Sequence, residues 1–218
     1  MLDSLRAVLA ESRLARAGLI GFGVLLLVAG LALGVWTWWQ SQQAQGSLAL
    51  AAATELAQAA QAPGASPTAR AAALQALDGV VTQHPRYSGV AQAAYRAGNL
   101  RFDAGDYAAA RGSYQIALAK GATGVVRAMA AVGIGHTWEV EKDYAKAQAA
   151  YEAALAGLGP KDFLYENILL DLGRVQEFGG HRDAAVETYR RLLKDLPDSR
   201  RGADVRARIA SLTPATKP

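Results

Sequence analysis

The sequence predicts an all-α protein: one N-terminal transmembrane helix followed by an α-solenoid of helix hairpins. Two observations predict it. Residues 17–39, "AGLIGFGVLLLVAGLALGVWTWW", carry no charged side chain in 23 positions. Downstream, a single helical motif returns at intervals of 37, 37 and 38 residues. A cluster of tryptophans marks where the first pattern gives way to the second.

As a helix, residues 17–39 would be about 34 Å long, enough to cross a hydrocarbon core of about 30 Å with some tilt. Three of the four tryptophans, Trp36, Trp38 and Trp39, close the run. No single helical stripe holds them, because residues two and three apart point in different directions around a helix. An indole ring is amphipathic, and its N–H seeks a wet partner where apolar chains meet headgroups. The cluster therefore reads as the outer rim of a span.

Charge orients that span. Arg6, Arg13 and Arg16 precede it, and no Lys or Arg follows until Arg70. The positive-inside rule then places residues 1–16 in the cytoplasm and the C-terminal part across the membrane, which in a bacterium is the periplasm. A cleaved signal peptide is the competing reading. Its apolar region would be about 7–15 residues and would end in small residues rather than indoles. A lipid anchor at a cleavage site would need a cysteine, and the chain has none. Within the span, Gly30 and Gly34 form a GxxxG, a spacing that lets two helices approach closely.

Residues 40–218 suffice for one sizeable soluble domain. The absence of cysteine excludes disulfides, Fe–S clusters and thiolate zinc sites. Net charge is +4 and thinly spread, with some concentration in "SRRGADVRARIASL" at Arg200, Arg201, Arg206 and Arg208. A nucleic-acid binder shows a stronger basic stripe with interleaved aromatics, so this segment reads as a solvated polar end-face.

Four segments share the recurring motif. Its members are Ala73/Leu77/Val80/Val81, Ala110/Tyr114/Ala117/Leu118, Ala147/Tyr151/Ala154/Leu155 and Ala185/Tyr189/Leu192/Leu193. Spacings of four, three and one put each set on one helix face. Upstream of the last three lies a second helical pattern with a fixed glycine, Gly98, Gly135 or Gly173. A glycine inside a helix costs about 1 kcal/mol relative to alanine, so its recurrence predicts close backbone approach. Short turns, "DAGDY", "EKDY" and "GGHRD", separate the two helices of each unit. An isolated helix pair could not bury its apolar stripe, and stacking solves that.

These residues resemble the tetratricopeptide repeat (TPR) family. Gly98, Gly105, Asp106, Tyr107, Ala110 and Tyr114 stand in matching places in one unit. Ile134, Gly135, Trp138, Asp143, Tyr144, Ala147 and Tyr151 do so in the next, and Leu172, Gly173, Gly180, Ala185, Tyr189 and Pro197 in the third. The resemblance covers about residues 88–197 and departs in three ways. The period exceeds the family's; Arg101 and Gln176 stand where a first-helix aromatic is usual; and "APGASPTA" interrupts the first unit. The expected organisation is a cytoplasmic N-terminus (1–16), a span (17–39), a helical linker with a degenerate first helix (40–69), TPR-like repeats (70–197), and a capping helix with a loose end (198–218). Residues 47–61, "SLALAAATELAQAAQ", are the expected partner of the first motif helix.

Chemistry is not indicated. His84, His136 and His181 fall in separate units without converging ligands, so no metal or other cofactor is expected. Asp162, Glu166 and Asp171 on one helix, and Glu139 and Glu141 on another, read as solvated helix faces rather than acid–base pairs. The one glycine-rich stretch, "GLIGFG", lies inside the span. The chain reads as a non-enzyme.

The resemblance implies that the first helix of each pair lines a concave face. Residues three before, one after and four after the fixed glycine would then face a partner. These are Tyr95, Asn99 and Phe102; Val132, His136 and Glu139; Leu170, Arg174 and Glu177. They suit a peptide segment of another protein. Of the kinds of residue with which the family clamps a peptide carboxylate, only Asn99 and Arg174 are present. Anchor, polarity and size together resemble the ancillary subunit of the bacterial Sec translocon, which implies a membrane-tethered scaffold beside translocation machinery and periplasmic chaperones. The alternative is a self-associating platform, a homo-oligomer within another envelope complex. Nucleic acid is not an expected partner.

Overall fold

The computed structural model describes residues 13–213, all of whose regular secondary structure is helical. The expected cytoplasmic residues before Arg13, Arg6 among them, and the loose end at 214–218 lie outside the described residues. Among the described residues, nine helices follow in order: α1 (Arg13–Ala60), α2 (Pro67–Gln83), α3 (Val90–Asp103), α4 (Tyr107–Ala119), α5 (Gly124–Val140), α6 (Tyr144–Leu155), α7 (Tyr165–Phe178), α8 (Arg182–Asp195) and α9 (Gly202–Leu212). The chain divides between Gln45 and Gly46 into two compact units.

The first unit is the N-terminal part of α1. By length and composition α1 can cross a membrane. Its large apolar side chains are exposed, from Ile20 and Phe22 through Leu31 to Trp36, Trp38 and Trp39. Thr37 Oγ1 donates to the Gly34 carbonyl (3.0 Å) and Ser41 Oγ to the Trp38 carbonyl (2.8 Å). These hydroxyls are satisfied on the helix's own backbone, as an apolar surrounding would require. The expected span and the expected 47–61 segment belong to one helix, and the break falls at residues 61–66, where "APGASPTA" begins.

The second unit begins with the last turns of α1. Leu50, Ala53, Ala57 and Ala60 form one buried stripe, packed with Ala73, Leu77 and Val80 of α2 and Ala93, Ala97 and Leu100 of α3. Thereafter α3 and α4, α5 and α6, and α7 and α8 are consecutive packed pairs, with α9 against α8. The next cluster joins Ala94, Ala110, Tyr114, Ala117 and Ala130 across two pairs. A larger one runs from Ala131 through Tyr151, Tyr165, Ile168, Leu169 and Leu192 to Val205 of the last helix.

Local chemistry sets the helix ends. Ser66 caps α2, accepting from Ala69 N–H at 3.1 Å, with Pro67 in the first turn where its missing N–H costs nothing. Asp106 and Asp143 cap α4 and α6 by accepting from Ala109 N–H (3.1 Å) and Lys146 N–H (3.2 Å). The preceding residue of each turn is left-handed: Gly105 at φ +80°, Gly180 at φ +81°, but Lys142 at φ 62° in the middle unit. There an L side chain occupies a conformation that glycine adopts without strain.

The recurring glycines are explained by the recurring tyrosines. A Cβ on Gly98 would come within 2.5 Å of the Tyr114 ring, and one on Gly135 within 2.5 Å of the Tyr151 ring. Gly173 meets Tyr189 in the same way. Each ring occupies the space that a side chain at the glycine of its partner helix would fill. Tyr114 also fills the space over Gly133, so it bridges one pair to the next.

Candidate functional site

The glycine register places all nine expected groove residues alike: each is half-buried beside a buried glycine on α3, α5 or α7. Their surroundings are not alike. Tyr95, Asn99, Phe102, Val132 and His136 come together in one open pocket of about 320 Å³. Tyr114 and Gly133 form part of its lining, with Gln61, Asp103, Met129 and Leu164. Periodicity did not reach the last four. Gln61 and Leu164 come from connections between helices, while Asp103 and Met129 fall outside the three register positions.

The tyrosines that fill the glycine notches send their hydroxyls to this face. Tyr114 Oη donates to Asn99 Oδ1 (2.9 Å), Tyr151 Oη to Glu139 Oε2 (2.8 Å) and Tyr189 Oη to Glu177 Oε1 (2.6 Å). Burial pushes all three phenols above their ordinary pKa, and carboxylate acceptors add to the shift at Tyr151 and Tyr189. All three are therefore donors, and each orients one groove residue.

In the C-terminal part of the groove the charges are consumed internally. Glu139 accepts from Arg174 Nε (2.7 Å) and Nη2 (2.9 Å), a bidentate pair. Arg174 also pairs with Asp171 at 2.8 Å, and His136 Nε2 lies 3.4 Å from the same carboxylate. Burial would raise the Glu139 pKa, but hydrogen bonds from Arg174 and Tyr151 outweigh it and hold the carboxyl below its ordinary value. Its hydrogen bond to Glu139 raises Arg174 in turn. Glu177, with a side chain only 8% exposed, is clasped by Arg208 Nε and Nη2, each at 2.8 Å.

These contacts correct the expectation of solvated acidic faces. Glu139 and Asp171 belong to one half-buried network, Glu141 pairs with Arg111 (2.7 Å), and Glu166 accepts from Ser199 Oγ (2.7 Å). Asp162 accepts from Gly159 N–H (2.7 Å) and stabilises a turn. The four arginines of the basic tail, Arg200, Arg201, Arg206 and Arg208, are all exposed, and Arg208 also pairs with Glu177. Paired carboxylates of this kind lock a structure.

Where the repeat lacks its usual aromatic, polar pairs replace it. Arg101 reaches Asp78 (2.6 Å) and Ser113, and buried Gln176 accepts from Thr188 Oγ1 (2.7 Å). Trp138 keeps the aromatic and stacks beneath the Arg111 guanidinium, 3.7 Å from the ring centroid. Gly30 and Gly34 lie in the first unit, where an added Cβ on either would meet nothing within 4 Å. Among the described residues no three His, Asp or Glu side chains converge as metal ligands would.

Comparison with known proteins agrees with this geometry. Residues 168–199, which span most of α7 and α8, match the tetratricopeptide repeat family. The nearly identical TPR-like repeats of a Podosopora anserina protein described as a kinesin light chain share the fold at a TM-score of 0.58 and 14% identity, over 75% of this chain and 84% of that one. An RS-1 ArsTM double mutant of MamA does so at a TM-score of 0.53 and 15% identity, over 77% of this chain and 93% of that one. No curated protein matches. At such identities the likeness shows the fold, a TPR-like α-solenoid. Stacked repeats of this kind present extended concave surfaces to other proteins and generally serve as scaffolds rather than enzymes.

Proposed function

We propose that this protein is a membrane-tethered TPR scaffold that docks other polypeptides at the periplasmic face of a bacterial inner membrane, beside the Sec translocon and its chaperones. The observation that carries the docking function is the open pocket under Tyr95, Asn99, Phe102, Val132 and His136. It is concave, largely apolar, and set with a few oriented polar groups, as peptide sites are.

Tethering is supported by α1, whose apolar side chains from Ile20 to Trp39 are exposed and whose hydroxyls bond to its own backbone. The arginines before the span and their absence until Arg70 support the orientation. Anchoring holds the groove at high effective concentration near its machine, so a modest affinity would serve. The translocon assignment rests on the resemblance in anchor, polarity and size. In-cell photo-crosslinking from position 102 or 136 of the full chain tests it. Crosslinks to translocon subunits, periplasmic chaperones or secreted chains are expected. Crosslinks solely to other copies of the chain would replace the scaffold with a self-associating platform.

A further inference from the structure

We infer that the pocket takes a cationic side chain, a lysine or arginine, from the docked polypeptide; the inference rests on the scaffold reading above. Among the described residues, Asp103 is the one carboxylate in the lining, with the imidazole of His136, and no Lys or Arg is part of it. Asp103 is exposed at the C-terminal end of α3 and shares the pocket lining with Phe102 and Tyr95. A cation over an aromatic face is attracted by the ring's electron density, and a nearby carboxylate adds to the attraction. Met129, Val132 and Leu164 offer an apolar wall to the methylene stem of such a side chain.

The molecule itself uses this combination elsewhere. Arg111 lies over the Trp138 ring and pairs with Glu141 at 2.7 Å. Lys146 sits 4.3 Å from the same ring centroid and pairs with Asp143 at 2.6 Å. Arg191 lies 5.4 Å from the Tyr165 ring centroid and 3.5 Å from Asp195. In each case a ring and a carboxylate together hold a cation of this chain. The rings of Tyr95 and Phe102 with Asp103 repeat that chemistry at an open pocket.

The opposite charge is disfavoured there. A carboxylate entering the pocket would meet Asp103, and Arg174, farther along the register positions, is committed to Glu139 and Asp171. Arg70 lies with Asp103 on an adjoining pocket, but among the described residues the two form no ion pair. The neighbour that does reach Asp103 is neutral: Gln61 Nε2 donates to one carboxylate oxygen at 3.3 Å.

The test uses the full chain in lipid nanodiscs and three fluorescein-labelled peptides of identical Ala/Leu background, with lysine, norleucine or glutamate at the centre. Fluorescence anisotropy should rank lysine first, about tenfold tighter than glutamate and about threefold tighter than norleucine. Asp103→Asn, an exposed position whose replacement leaves the core untouched, should abolish the preference for lysine over norleucine while norleucine binding stays unchanged. Equal affinities, a preference for glutamate, or a lysine preference that survives Asp103→Asn would overturn the inference and leave the scaffold intact. Failure of all three peptides to bind would also overturn it. Crosslinking from position 102 then decides separately whether the groove docks protein at all.

Discussion

The two ends of the groove occupy the same positions of the same repeat and do opposite things. Around α3 and the first turns of α5, those positions hold Tyr95, Asn99, Phe102 and Val132, and a pocket stands open above them. Along the end of α5 and on α7 they hold Glu139, Arg174 and Glu177, each spent on a partner within the chain. A repeat fixes where a side chain points; its chemistry decides whether it meets a ligand or its neighbour. Opposite charges one repeat apart find each other and are neutralised within the chain, although a second pocket of about 330 Å³ remains beside Leu170, Arg174 and Arg208. The aromatic and amide groups carry no charge to neutralise, and their pocket holds the carboxylate of Asp103, unpaired with any cation among the described residues.

The largest expected effect breaks the frame common to both ends. Tyr151 is fully buried against Gly135 and supplies the hydroxyl that orients Glu139. Tyr151→Ala should cost about 3–5 kcal/mol in denaturant unfolding, whereas Tyr151→Phe should cost about 1 kcal/mol, the hydrogen bond alone.

Next comes the charge-paired end. Glu139→Gln leaves Arg174 with half its partners. Because the Arg174 side chain is 39% exposed, the cost should be about 1–2 kcal/mol, below that of a fully buried pair. The pH dependence has a definite sign. A carboxyl held below its ordinary value of 4.5 stabilises the fold above that pH, and the contribution is lost as pH falls through the lowered folded value. The difference in melting temperature between wild type and Glu139→Gln should therefore be full at neutral pH and shrink on acidification below about pH 4.5. A difference that grows on acidification would contradict the assignment.

The open end should respond the other way. Phe102→Ala removes a half-buried ring packed on Tyr107 at 5.4 Å between centroids. It should cost no more than about 1.5 kcal/mol of stability, yet weaken partner binding about tenfold. The smallest effect lies outside both ends. Lys142→Gly should stabilise by about 0.5–1 kcal/mol, since the equivalent turns already carry Gly105 and Gly180 in the left-handed region.

The repeats were legible in the sequence because their cause is local. A glycine and a tyrosine sixteen residues apart, at Gly98/Tyr114, Gly135/Tyr151 and Gly173/Tyr189, mark one hairpin each, and the pattern survives in plain text. The pairing of Glu139 with Arg174 did not, because it joins different repeats and the carboxylates read as solvent-facing when each helix is taken alone. Periodicity also missed Leu164 and Gln61, since they enter the pocket from connections where no helical period applies. The helical segment 47–61 was legible for a different reason: no glycine–proline break interrupts the chain between the span and "APG" at 62–64, and α1 runs to Ala60.

The partner is expected at the pocket of Tyr95, Phe102 and His136 rather than over the paired charges of Glu139 and Arg174. The most direct measurement compares photo-crosslinking yield in cells from position 102 and from position 174 of the full chain, each normalised to expression. The account predicts abundant adducts to other polypeptides from 102 and few from 174. Equal yields, or a larger yield from 174, would contradict it.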